Sequence, residues 1–129
     1  MEGLTMPKRN SSSKRTLELF RAKGYTCAVT ERWNPFAHVR QDLFGFIDIL
    51  AISEWNGILG LQVTNQGEVP AHARKLNDCK AAEKWLRAGG KIIMVEWKKP
   101  SKKEGRRFWH YRLWNHPFKI DGASEWSTF

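Results

Sequence analysis

The sequence predicts an α/β domain in which helices flank a mixed central sheet. Three observations carry this. Stretches rich in β-branched and aromatic residues recur at positions 25–33, 44–52, 58–64, 91–97 and 108–114. A stripe of Ala73, Leu76, Cys79, Ala82 and Leu86, at steps of three or four, marks a helix between the third and fourth of them. That helix is a crossover, so a three-strand meander precedes it and a strand in a different relation follows it, which mixes the sheet.

The elements follow in order. Residues 1–11 read as a flexible basic tail and 12–129 as a single domain, since 129 residues suit one core. Ser11, Ser12 and Ser13 offer N-caps for a helix reaching about Lys23, with Gly24 placed to end it and Leu17 and Phe20 facing the core. Residues 25–33 (YTCAVTERW) form the first strand, broken by Asn34-Pro35, and 36–43 form a loop with a short extended piece. The second strand spans 44–52 and the third 58–64, before a turn at Asn65-Gln66-Gly67. Pro70 suits the first turn of the second helix, and Gly89-Gly90 closes it. The fourth and fifth strands, 91–97 and 108–114, pair through the basic turn 98–107.

Composition narrows the function. The chain is 41% hydrophobic, too apolar for disorder, and its apolar runs are too short to cross a bilayer. MEGLTMPKRNSSSKR has no apolar core of a secretory signal, and two distant cysteines, Cys27 and Cys79, fit a reduced cytoplasmic protein. A formal net charge of +9 calls for an anionic partner, and clustering of the cations favours nucleic acid. Lys98, Lys99, Lys102, Lys103, Arg106 and Arg107 crowd one turn and are expected to contact phosphate. Trp55, at a hairpin tip, is expected to be exposed and free to stack on a base or pack on a partner.

Within the hairpin FIDILAISEWNGILGLQVT, three polar residues interrupt an apolar pattern: Asp48, Gln62 and Thr64. Burying them unpaired is costly. A two-residue Asn56-Gly57 turn would put Asp48 and Gln62 on opposite faces of the sheet. A three-residue Trp55-Asn56-Gly57 turn would pair Leu50 with Gln62 and Asp48 with Thr64, gathering all three on one face, and is the preferred register. Read structurally, Asp48 caps a loop amide, and Gln62 and Thr64 bond across the hairpin.

A first helix carrying Glu18, the strand motif Gly45-Phe46-Ile47-Asp48, a hairpin, and a strand ending in the polar pair Gln62-Val63-Thr64 before a helix together resemble the PD-(D/E)XK nuclease superfamily. The small Holliday-junction-resolvase-like and phage-type members are most similar, over roughly residues 12–97. The resemblance implies a restriction-endonuclease-like αβββαβ core and a divalent-metal-dependent endonuclease, a hydrolase of DNA phosphodiester bonds, with structured or branched DNA as substrate. It also implies Mg²⁺ or Mn²⁺ as cofactor, a homodimer, and a prokaryotic or phage origin, with RNA left open as a partner. By the family's pattern Asp48 is a metal ligand. Gln62 and Thr64 stand where the family has Asp or Glu and Lys, a departure at two of three core positions. Gln62 then supplies a neutral amide oxygen, Thr64 a hydroxyl that orients water, and Glu18 a further ligand. The family's missing lysine is sought on the second helix, at Lys75 or Lys80, with Arg74 nearby for DNA.

The same departure supports a rival, a nucleic-acid-binding module with a degenerate, inactive nuclease site. An interaction adaptor whose charge serves solubility is a third reading. Asp42 and Glu96, near strand ends, are further acids that could join the site. His38, His72, His110 and His116 lack ligand spacing, so a zinc site is not expected.

Overall fold

The computed structural model describes residues 11–104, 108–119 and 121–129. The tail expected over 1–11 therefore lies outside the described residues except for Ser11, as do Arg106 and Arg107 of the basic turn. The chain folds as α1 (Ser11–Ala22), β1 (Thr26–Val29), β2 (Arg32–Asn34), β3 (Val39–Gln41), β4 (Ile49–Ser53), β5 (Gly57–Asn65), α2 (Val69–Asn77), α3 (Lys80–Arg87), β6 (Lys91–Lys98), β7 (His110–Asn115) and β8 (Ser127–Thr128). The main sheet has the order β1-β4-β5-β6-β7-β8, and β2 and β3 form a separate ribbon. All pairings in the main sheet are antiparallel except β5 with β6, which the α2–α3 crossover makes parallel. It is thus a mixed α/β fold with a mostly antiparallel sheet and, among the described residues, three α-helices.

Alternation along the strands sorts side chains into two cores. Ile49, Ala51, Leu59, Leu61, Ile93, Val95, Trp97 and Tyr111 pack with Leu19 and Phe20 of α1. Ile92, Met94 and Trp114 point the other way, against Val69 and Leu76 of α2 and Ala82 of α3. α1 is pinned by a buried polar chain: Trp97 Nε1 donates to Thr16 Oγ1 (2.8 Å), which donates to the Ser12 carbonyl (2.7 Å). Gly24, at φ +96°, ends α1 as its position in the sequence predicts.

Several boundaries differ from expectation. The stretch 25–33 is not one strand, because the chain leaves the sheet after Val29 and Arg32 starts the β2–β3 ribbon. The second strand begins at Ile49 rather than at 44. Phe44-Gly45-Phe46 instead forms a tight turn closed by a Leu43↔Ile47 bridge, with Phe44 and Gly45 both at positive φ. The single helix expected over the apolar stripe is broken at Asp78-Cys79, where Cys79 is extended and caps α3. Cys27 and Cys79 are free thiols. A pair of C-terminal residues, Ser127–Thr128, adds a short edge strand to which the sequence gives no clear signal.

Gly60 explains how the Phe46-Ile47 segment packs so low over β5. A Cβ there would sit 3.1 Å from Ile47 Cγ1 and 3.4 Å from Phe46 Cε2. Replacing Gly60 by valine is expected to cost about 1–3 kcal/mol, because neither neighbour has room to retreat in a packed interior. Urea denaturation checks this, and an unchanged midpoint would contradict the packing described.

Candidate functional site

The β4–β5 register pairs Ile49 with Leu61, Leu50 with Gly60, and Ser53 with Gly57. The connecting loop is therefore Glu54-Trp55-Asn56: three residues, as the sequence reading required, but one position earlier. The pairing slides by two residues, which preserves the faces. Asp48, continuing the ladder, comes opposite Gln62 rather than Thr64. Its backbone N–H donates to the Leu61 carbonyl (2.9 Å), and its Oδ2 accepts from the Val63 N–H (2.7 Å). The bland expectation, a carboxylate capping a backbone amide, is thus met by one of its oxygens.

Two further carboxylates converge on it. The Leu43↔Ile47 bridge closes the turn so that the flanking residues, Asp42 and Asp48, return to face each other. Beyond Val29↔Ile49 the β1 strand stays alongside, and the Thr30 N–H donates to the Asp48 carbonyl (2.9 Å), bringing Glu31 in from the other side. Glu31, Asp42 and Asp48 each present an oxygen within 4.8 Å of the others. Burial first, then the hydrogen bond with Asp42 and the charges of Asp42 and Glu31, push the Asp48 carboxyl up to about 9, against a smaller opposing pull from Val63 N–H. Arg40 partly balances the group through an ion pair with Glu31 at 3.8 Å.

Asp42 also opens onto a cavity of about 160 Å³ shared with Gln62, His72 and Lys75. Gln62 is 7% exposed, and its Oε1 has no hydrogen-bond partner among the described residues. The same holds for His72 Nδ1, while its Nε2 lies 3.8 Å from Glu68. Orphaned buried polar atoms are uncommon and call for a partner that the protein itself does not supply. Three carboxylates and an amide oxygen are hard donors. Separations up to 4.8 Å fit oxygens arranged about one Mg²⁺ or Ca²⁺, whose ligands sit at about 2.1–2.6 Å. The residues present therefore fit a divalent cation.

The expected residues divide by position. Gln62 of β5 and Lys75 of α2 line one cavity with Asp42, while Asp48 stands opposite Gln62 in the ladder and does not line that cavity. Thr64 lies on the same face as Gln62, but it is buried beside Glu96, with its hydroxyl 3.5 Å from the Asn65 carbonyl, and does not line this cavity. Glu18 is exposed on α1, the helix that covers the opposite core, so it is not among the clustered acids; Glu31 and Asp42 take that place. Trp55 is 65% exposed but sits at the closed end of the hairpin, its ring tilted against Tyr25 (centroids 5.1 Å apart), away from Asp48 at the open end. Arg74 and Lys80 are exposed on α2 and α3. Lys99, Lys102 and Lys103 are exposed, and Lys98 lies over the Trp126 ring (4.9 Å). This basic turn leaves the sheet where β6 ends, beside the end of β5 that carries Gln62.

Glu96 does not join the site. It is buried, and accepts from Arg112 Nε (2.6 Å), Trp114 Nε1 (2.8 Å) and Gly67 N–H (3.0 Å). Burial would raise its pKa, yet these three donors hold it below the usual carboxylate value. Glu31 and His72 are the residues that sequence reasoning missed. Glu31 would have followed from the β1–β4 register, which carries residues 30 and 31 past 48 and 47. His72 sits one helical turn below Lys75–Leu76, on the face that closes the cavity.

Together the fold and the cluster define a mixed α/β protein with a candidate acidic metal centre at one end of its sheet. Comparison with family models, curated proteins and solved structures finds no match for this chain. Among the described residues no helix is long and apolar enough to cross a membrane.

Proposed function

We propose that this protein is a divalent-metal-dependent nuclease that hydrolyses DNA phosphodiester bonds. One observation carries the reading: Glu31, Asp42 and Asp48 converge within 4.8 Å, and Asp42 shares a cavity with Gln62, whose buried Oε1 has no hydrogen-bond partner among the described residues. The path α1, β1, β4, β5, α2–α3, β6, with β5 and β6 parallel, supports a restriction-endonuclease-like core. A charge of +9 on a chain that gathers Glu31, Asp42 and Asp48 at one point suits a polyanion directed to a cation-dependent centre.

Asp42, Asp48 and Glu31 would hold Mg²⁺ or Mn²⁺, with Gln62 Oε1 as a neutral fourth oxygen. When bound, such an ion polarises the phosphoryl oxygen and acidifies water. Lys75, on the cavity wall, stabilises the charge that builds on the phosphate oxygens, the part the resemblance assigns to a strand lysine. His72 lines the same cavity, and its imidazole can accept the proton of the attacking water. Lys99, Lys102 and Lys103 hold the flanking backbone.

Supercoiled plasmid is expected to be nicked with Mg²⁺ or Mn²⁺ and left intact with chelator. Asp42→Ala should lose both Mn²⁺ binding and cutting. Lys75→Met should keep Mn²⁺ binding and lose about 100-fold or more in cutting rate. DNA binding without any metal-dependent cutting would instead support the inactive binding module, which the glutamine and threonine at 62 and 64 favour.

A further inference from the structure

The geometry points to the β2–β3 ribbon as a strand guide that stacks Phe36 on an unpaired base, so that the DNA taken at this site is single-stranded or locally opened. This rests on the nuclease reading for its position beside the scissile phosphate, but the strand contact itself needs no metal.

The ribbon is inserted between two of the three clustered acids. Glu31 immediately precedes β2 and Asp42 immediately follows β3. From Asp42 a groove of about 340 Å³ runs past Arg32 and Phe44, and a second of about 270 Å³ continues from Arg32 along Trp33 to Phe36. Arg32 lines both, so one cationic side chain adjoins the groove at the acidic centre and the groove at the ribbon tip.

The backbone of the tip is held by hydrogen bonds. Asn34 Oδ1 accepts from both Phe36 N–H (3.0 Å) and Ala37 N–H (3.1 Å), and His38 takes φ +53° with its ring against Trp33 (6.2 Å). On this tip Phe36 is 87% exposed, and Phe44, near Asp42 in sequence, is 60% exposed. Between Arg32 and Gln41 the ribbon contains Arg32, Arg40 and His38 and no acid. Exposed aromatic faces with cations nearby form a stacking platform for a nucleic-acid strand. In a duplex each base face is covered by its neighbours, so an aromatic on a narrow tip gains a partner only where a base is unstacked.

The test is binding in chelator, where no cutting occurs. Fluorescence anisotropy would compare a labelled mixed-sequence single strand of about twenty nucleotides with its blunt duplex. The wild type should prefer the single strand. Phe36→Ala should weaken single-strand binding about tenfold, leave duplex binding unchanged, and be rescued by Phe36→Trp. Mn²⁺ titration of the same variants should be unaltered. Equal affinity of wild type for strand and duplex, or a Phe36→Ala protein that binds the strand as well as wild type does, would overturn the proposal. Absence of Mn²⁺ binding in all variants would instead count against the metal centre and leave the ribbon's role standing.

Discussion

Asparagine in place of Asp48 should stabilise the metal-free protein at pH 8 while abolishing metal-dependent cleavage. The Asp48 carboxyl titrates near 9 in the folded chain, because it is buried and shares its surroundings with Asp42 and Glu31, against about 3.9 when unfolded. Between those values the native state holds a proton that the unfolded state has released. Stability therefore falls as pH rises from about 4 towards 9, at up to about 1.4 kcal/mol per pH unit. Allowing for relaxation and water entry, about 2 kcal/mol is lost by pH 8, or roughly 8 °C in Tm for a domain of this size. Asparagine cannot ionise, and its amide oxygen can still accept from Val63 N–H. The variant should thus melt higher than wild type at pH 8 and level with it near pH 4. Mn²⁺ should raise the wild-type Tm and leave the variant's unchanged. A variant less stable than wild type at pH 8 would show that the three acids do not repel one another.

The second large effect is expected at Glu96. Alanine there leaves Arg112, Trp114 Nε1 and the Gly67 N–H facing a cavity without their shared acceptor. Breaking a buried pair by removing one partner costs about 3–5 kcal/mol. Glutamine, which keeps one acceptor oxygen, should cost less. Because the pKa of Glu96 is depressed, its contribution is fully present above about pH 4.3 and is lost as pH falls through its lowered folded value. The wild-type and glutamine proteins should therefore converge in acid. Chemical denaturation of the three proteins between pH 3 and pH 7 checks both statements. An alanine variant as stable as wild type would mean that Glu96 holds nothing together. Since Glu96 neighbours Thr64 across β5–β6, the same variant tests whether Thr64 belongs to a structural network rather than to the site.

The architecture was legible because periodicity is local. Each strand of the main sheet except the two-residue edge strand, and the helical crossover, announced themselves by alternation or by a stripe of small apolar residues, whereas the break of that crossover at Asp78-Cys79 did not. The hairpin shows how far that goes. An odd-numbered loop was readable from the wish to keep polar groups together, and parity alone decides which face each side chain takes. Where the loop begins was not readable, since Ser53 and Gly57 pair as readily as Glu54 and Ile58 on propensity alone.

Sequence alone determined the mixed sheet, the crossover, the basic surface, and the presence of Asp48 and Gln62 on one face. Only the tertiary structure decided which acids stand beside Asp48. Glu31 and Asp42 come from segments that local pattern assigned to a strand and a loop, and Glu18, which had looked suitable, lies exposed on the helix over the other core. The physical reason is that strand identity depends on neighbours along the chain, whereas the meeting of carboxylates depends on register between strands and on where the chain leaves the sheet. Those are set by how both cores fill at once.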